Sequence, residues 1–256
     1  MASNDTIQKT LTVALALCVV CSVIVSTASV MLKPAQVANK SLDFKRNILA
    51  AAGLQEEGKS VEELFGQITT KIIDLETGKF TDAVDVDKYD QRKAGKDPQL
   101  SDKLSSSDDI AKISRREKYS KVYLVEDSEG VKKVILPIKG YGLWSTLYGF
   151  MALDADLNTV VGLGFYEHGE TPGLGGEVDN PKWKALWPGK KVYDGDNLSL
   201  SVVKGAVDSK APGSEYQVDG LSGATLTTRG IDNLVKFWMG NMGYAKFLNN
   251  LKRGEA

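Results

Sequence analysis

A run of hydroxyls and small residues, Asp219-Gly220-Leu221-Ser222-Gly223-Ala224-Thr225-Leu226-Thr227-Thr228, holds the residue types needed to carry a phosphate ester. Such an ester requires an exposed hydroxyl that a transferase can reach, and Gly223 and Ala224 keep bulk away from a phosphate arriving at Thr225. Gly220 and Gly223 admit positive φ, which lets amides turn toward an anion. Ile231, Leu234, Val235 and Trp238 follow at helical spacing. This predicts a helix beginning near Thr227 or Thr228, with Thr225 just ahead of it. A phosphate there faces unpaired amides and the positive end of the helix dipole, and Arg229 offers a cationic donor. Composition alone also allows a plainer reading of the same residues, an N-cap and a turn.

Two further segments offer chemistry. In Glu167-His168-Gly169-Glu170-Thr171-Pro172-Gly173-Leu174-Gly175, Pro172 fixes φ while Gly173 and Gly175 remove side chains, so a flat ring can approach the backbone. Thr171 and the loop amides suit a polar ring edge, and Leu174 suits its face; an ordinary Pro-Gly turn is the alternative. Glu170 is the stronger candidate for a ring contact, and His168, the only histidine, reads as structural or surface. In Gly140-Tyr141-Gly142-Leu143-Trp144-Ser145-Thr146, Trp144 offers an aromatic surface, with a core tryptophan as the alternative. Lys204 reads as a solvated lysine after a strand. No nucleophile and base stand together, so no catalytic residue is expected. No metal site is expected either, and the glycines near 170 lack the strand, helix and acidic partner of a dinucleotide site.

Together these segments resemble the FMN-binding domain family found in the bacterial Na+-translocating NADH:quinone reductase and the related Rnf complex. Ser222-Gly223-Ala224-Thr225 resembles that family's attachment motif, which implies FMN esterified through its phosphate to Thr225, with Leu226 and Thr227 adjoining. The Glu170-Thr171-Pro172-Gly173-Leu174-Gly175 element and the Trp144-Ser145 element resemble the rest of the cofactor site. The resemblance implies a C-type subunit of an assembly that couples NADH oxidation and ubiquinone reduction to Na+ export. The G-type Rnf subunit is the alternative; the long polar insertion and Gly-Tyr-Gly-Leu-Trp-Ser favour the first. It also implies an FAD-dependent flavin transferase for maturation, and both membrane and soluble subunits as partners, among whose redox centres electrons are relayed. A membrane-anchored binding domain without a redox cofactor is the reading of a different class.

The elements that must position these residues begin with an apolar stretch. Residues 10–32 carry no charge and are long enough to cross about 30 Å of hydrocarbon, which predicts one transmembrane helix; a cleaved signal peptide is the alternative. Lys9 on one side against Lys33, Lys40, Lys45 and Arg46 on the other places the large domain in the cytoplasm by charge count. The resemblance places it in the periplasm, on a single-pass subunit of the bacterial inner membrane, and that placement is the one adopted. Cys18 and Cys21 lie inside the apolar stretch, on one helical face, without further ligands nearby. A net charge of −1 gives no pull toward nucleic acid.

Beyond the anchor, the pattern predicts a helix over 42–52 ended by Gly53. A second helix is predicted from the Ser60/Glu63 capping box through Leu75. A loosely ordered polar excursion follows over 81–114, whose acidic residues read as a solvated face. Strands are predicted over 122–125 and 131–138 around a hairpin turn, over 147–153 and 160–167, and over 198–203. Helices are predicted over 228–239 and 243–252. The expected fold class is α+β, an antiparallel sheet with flanking helices behind one N-terminal transmembrane helix. The domain reading is a tail over 1–9, the transmembrane helix over 10–32, a helical connector with the polar insertion over 33–117, and a covalent FMN-binding domain over 118–256.

Overall fold

Alternation of apolar and polar residues from Tyr119 onward builds the centre of the molecule. In the computed structural model, which describes residues 6–128 and 130–256, six strands form one antiparallel sheet. Residues 1–5 of the expected tail and Glu129 of the expected turn lie outside the described residues. In chain order the elements are α1 (Ile7–Ala51), α2 (Val61–Phe65), β1 (Ile68–Asp74), β2 (Lys79–Phe80) and α3 (Gln91–Ala94). There follow β3 (Ser101–Lys103), β4 (Arg115–Glu117), β5 (Tyr119–Asp127), β6 (Gly130–Tyr141), β7 (Thr146–Asp154) and β8 (Val160–Glu167). After them come α4 (Pro181–Lys184), β9 (Tyr193–Asp194), β10 (Asn197–Leu198), β11 (Ser201–Val202), β12 (Gln217–Val218), α5 (Thr225–Met239) and α6 (Ala245–Arg253). The sheet order is β2-β1-β5-β6-β7-β8, which is the expected antiparallel α+β arrangement.

The chain forms two compact units, one ending at Phe44 and one running from Lys45 to Ala256. The first holds most of α1, whose apolar window has a mean hydropathy of 2.5 and is long enough to cross a membrane. Cys18 and Cys21 are exposed on it. The sequence predicts a span over 10–32 and a separate helix over 42–52, but the structure joins them into one helix of 45 residues. Pro34 removes a single backbone hydrogen bond, and the helix-forming residues after it carry the helix onward. Gly53 ends it as expected, at φ +61°, a conformation that glycine adopts without strain.

The larger correction concerns residues 60–75. Ser60 caps α2 and accepts from the Glu63 amide at 3.2 Å, but the helix stops at Phe65 and Ile68–Asp74 forms β1 instead. Ile68, Thr69, Thr70, Ile72 and Ile73 are all β-branched, and the strand pairs with β5 along its length from Ile68↔Val125 to Asp74↔Tyr119. The 33–117 segment is therefore no connector: it supplies two strands of the central sheet. Residues 81–114 are ordered rather than loose. There Asp90 caps α3, β3 pairs with β4, and Arg92 reaches Glu167 at the end of β8 with two bonds of 2.7 Å.

The predicted 198–203 strand is split, β10 pairing with β9 and β11 running parallel to β12. The last two helices appear as expected, except that α5 starts at Thr225 and α6 at Ala245. One face of the sheet buries Val134, Leu136 and Ile138 in the core that also holds Ile231, Leu234, Val235 and Trp238 of α5. Trp238 Nε1 donates to the Lys139 carbonyl at 2.7 Å, and a Cβ at Gly140 would come within 2.7 Å of Leu234 Cβ. Close contact of β6 and α5 thus depends on Gly140. The other face carries a run of ring contacts from Phe65 through Tyr123 and Phe150 to Tyr166.

Candidate functional site

Three loops meet at one end of the sheet: the β6–β7 turn around Gly142–Ser145, the loop leaving β8 through Glu170–Gly175, and the entry to α5. They meet at Glu170. Its Oε1 accepts from the Leu143 and Trp144 amides, each at 3.0 Å, and its Oε2 accepts from Thr227 Oγ1 at 2.6 Å. The side chain is buried, the residue being 5% exposed. Burial works to raise the Glu170 carboxyl, but the Thr227 hydroxyl and the Trp144 and Leu143 amides outweigh it and hold the group below the usual glutamate range. The site thus contains a buried carboxylate ion held by neutral donors.

The remaining contacts tighten the same junction. Ser145 Oγ accepts from the Gly169 amide at 2.6 Å. His168 Nδ1 accepts from the Glu170 amide at 3.2 Å, and its Nε2 lies 2.8 Å from Asp179 Oδ2. This assigns the ring proton to Nε2 and gives His168 a structural place in the loop. The loop itself closes on Thr171, whose carbonyl accepts from the Leu174 and Gly176 amides. Gly173 sits at φ +76° beside Pro172, completing the turn.

Thr225 is the first residue of α5 and is exposed. Ala224 precedes it at the N-cap, and no side chain caps the helix. The amides of the first turn therefore have no carbonyl four residues back inside the helix and none is claimed by a capping side chain. Gly223 turns the chain into the helix at φ +73°, and a Cβ there would approach Leu174 Cδ2 at 3.2 Å. Buried Thr228 accepts from the Leu221 amide at 3.0 Å, which anchors the preceding turn. Ser222 is exposed, Ala224 buried and Leu226 exposed at 55%.

The three loops that meet here also expose large apolar side chains. Trp144 is 65% exposed and Leu174 46%, and Leu143 and Leu226 are exposed with them. Aromatic and aliphatic groups left in solvent beside an uncapped helix and a reachable hydroxyl suit a cofactor with a phosphate tail and a flat apolar ring. The three loops carry every site residue expected from the sequence, with a change of role for Glu170 and Thr227. Trp144 is a surface residue, which removes the core alternative. Glu170 and Thr227 turn inward and are consumed by each other, so neither presents its polar atoms to the surface. Gly142, read from the sequence only as part of the 140–146 element, is a packing position of this junction: a Cβ there would come within 2.5 Å of Glu170 Oε1. Lys204 is exposed and has no part in the junction.

The FMN-binding domain family matches residues 142–240, the stretch that contains all three loops, and this defines a flavin-binding class of protein. The whole chain is 56% identical over 261 residues to the C-type subunit of Na(+)-translocating NADH-quinone reductase from Pseudomonas aeruginosa, covering 100% of both chains. It is 50% identical to the same subunit from Vibrio vulnificus, covering 99% of each. A crystal structure of Shewanella oneidensis NqrC superposes with a TM-score of 0.76 at 37% identity, covering 84% of this chain and 99% of that one. A crystal structure of the corresponding protein from Parabacteroides distasonis gives 0.65 at 26% identity, covering 85% and 96%. The chain belongs to the NqrC family, the C-type subunits of the Na(+)-translocating NADH-quinone reductase, and the G-type Rnf alternative gives way.

Proposed function

We propose that this chain is a membrane-anchored electron-transfer subunit of the Na+-translocating NADH:ubiquinone reductase, holding FMN by a phosphoester to Thr225. The observation that carries the reading is the placement of the exposed Thr225 hydroxyl at the uncapped start of α5, on the same three converging loops that expose Trp144, Leu174 and Leu226. FMN held there supplies the redox chemistry. The chain supplies the tether, through Thr225 Oγ1, and orphan amides that favour the phosphate charge. The exposed leucines and Trp144 offer apolar surface to a ring, with Thr171, Pro172 and Gly173 leaving the backbone open to its edge. Ser222, Gly223 and Ala224 keep the approach to the hydroxyl narrow in chain but free of bulk.

In this reading α1 anchors the protein once in the bacterial inner membrane, with the flavin domain on the periplasmic side. A covalent link suits that side, where no free FMN pool refills a vacated site. A flavin transferase installs the group, and electrons pass between this FMN and redox centres of neighbouring subunits, NADH being bound elsewhere in the assembly. The test is Thr225→Ala, produced with the transferase alongside the natural chain. The natural chain is expected to fluoresce in a denaturing gel and to carry the added mass of an FMN phosphoester on the Thr225 peptide. The variant is expected to be folded and dark. Flavin that still migrates with the variant, or a natural chain with Thr225 bare, would overturn the proposal.

A further inference from the structure

We propose that Glu170 is the positioning residue of this site, its fixed negative charge holding the β6–β7 turn and α5 together and keeping a flavin beside them hard to reduce. The inference rests on the flavin reading above and assigns Glu170 a role other than touching the ring. Both carboxylate oxygens are taken by protein donors: two amides of the β6–β7 turn on Oε1 and the Thr227 hydroxyl of α5 on Oε2. Thr227 lies two residues along α5 from Thr225, and Trp144 donates one of the amides. The carboxylate thus fixes the relative placement of the tethering helix and the aromatic wall.

The cavity around the carboxylate is shaped for it. A Cβ on Gly142 would stand 2.5 Å from Oε1, and a Cβ on Gly175 would stand 2.6 Å from both Oε2 and Thr227 Oγ1. Two glycines on separate loops therefore make the room. Among the described residues no cation is paired with Glu170; only hydrogen-bond donors offset its burial. A buried ion without a counter-ion projects its field into its surroundings with little screening. Adding electrons beside it is disfavoured, so neutralising it makes a neighbouring flavin easier to reduce.

Three variants of the full-length chain, made with the transferase, separate these effects: Glu170→Gln, Glu170→Asp and Glu170→Ala. Glutamine keeps an acceptor for the two amides, and Thr227 Oγ1 accepts from its side-chain NH2 instead of donating, so the fold of the junction stays while the charge goes. The expected result is flavin attachment near that of the natural chain with an upward shift of the flavin midpoint potential. Aspartate keeps the charge but is one methylene short, and alanine removes both. For these two we expect flavin attachment reduced severalfold and amide hydrogen exchange at Leu143 and Trp144 faster by roughly tenfold to a hundredfold, as loss of charge-assisted bonds implies. Slow exchange at both amides in Glu170→Ala would overturn the positioning role, and an unshifted potential in Glu170→Gln would overturn the electrostatic one. The exchange measurement needs no flavin. If the natural chain proved to lack the cofactor, the function proposal would fall by its own test, and the exchange rates would still decide whether Glu170 holds the loops.

Discussion

Thr227→Val removes one hydroxyl from a site where its worth can be bounded. Thr227 is fully buried, valine matches its shape, and the only hydrogen bond its side chain makes in the junction is the 2.6 Å donation to Glu170 Oε2. The substitution leaves an ionised oxygen in the interior without its donor. A hydrogen bond to a charged group contributes about 1.5–3 kcal/mol, and valine returns little beyond slightly better burial of a methyl group. For a folded unit of this size, that loss lowers the Tm by about 3–12 °C. Thr227→Ser keeps the hydroxyl and gives up one methyl, worth about 0.8 kcal/mol of buried area, so it should fall between the natural chain and the valine variant. Thermal unfolding of the full-length chain in detergent, followed by tryptophan fluorescence, reads all three. A valine variant as stable as the natural chain, or one more stable than the serine variant, would refute the claim that Thr227 pins a buried carboxylate.

Other perturbations probe neighbouring parts of the same framework. Gly142→Ala places a methyl within 2.5 Å of Glu170 Oε1 and 2.6 Å of Leu147 Cδ1; overpacking of about 1–3 kcal/mol should appear in urea unfolding, with less flavin attached per chain. Lys139→Met strips the buried Glu117 carboxylate, 0% exposed, of a partner at 2.6 Å, which should cost about 3–5 kcal/mol in the same assay. Exchanging both Lys139 and Glu117 for apolar residues should recover part of that loss. Acid should act through Glu170 in a defined direction. Its folded-state value is below the ordinary one, so its stabilisation is complete above the unfolded glutamate value of about 4.3 and is lost as pH falls through the lower folded value. Tm measured from pH 7 down to 3 should therefore fall less steeply at the acid end in Glu170→Gln than in the natural chain; equal slopes would contradict the assignment.

The parts of the fold that were legible in the sequence are those set by local pattern. β8 was readable residue for residue, β7 to within a residue at each end, and the antiparallel pairing of β5 with β6 from the alternation on either side of the acidic run. The start of α5 was legible to within two or three residues, because Ile231, Leu234, Val235 and Trp238 mark its buried face. The failure over 60–75 is of another kind. Val61, Leu64, Phe65, Ile68, Ile72 and Leu75 satisfy a helical period, and only the β-branched run Ile68-Thr69-Thr70 speaks against it. What decides the matter is pairing with β5, far along the chain, which no local window contains. The order found over 81–114 is similar in origin: Gln91 donates to Glu117 and Ser120, and Arg92 clamps Glu167, so the polar side chains that suggested a solvated segment are the ones that dock it. Glu170 was visible as a carboxylate in a glycine loop, but its inward turn depends on three segments that are remote in sequence.

The fit of the Glu170 side chain between Gly142 and Gly175 also constrains how the sequence can drift. A carboxylate at position 170 that reaches its donors leaves no room for a Cβ at 142 or 175, and each glycine also faces a second neighbour: Leu147 Cδ1 would stand 2.6 Å from a Cβ at 142, and Thr227 Oγ1 2.6 Å from one at 175. The dependence therefore runs one way: a side chain at 142 or 175 disturbs the acid, while loss of the acid alone frees neither glycine. Relatives that keep the acid should have glycine at both positions, and relatives that have lost it should be able to keep them.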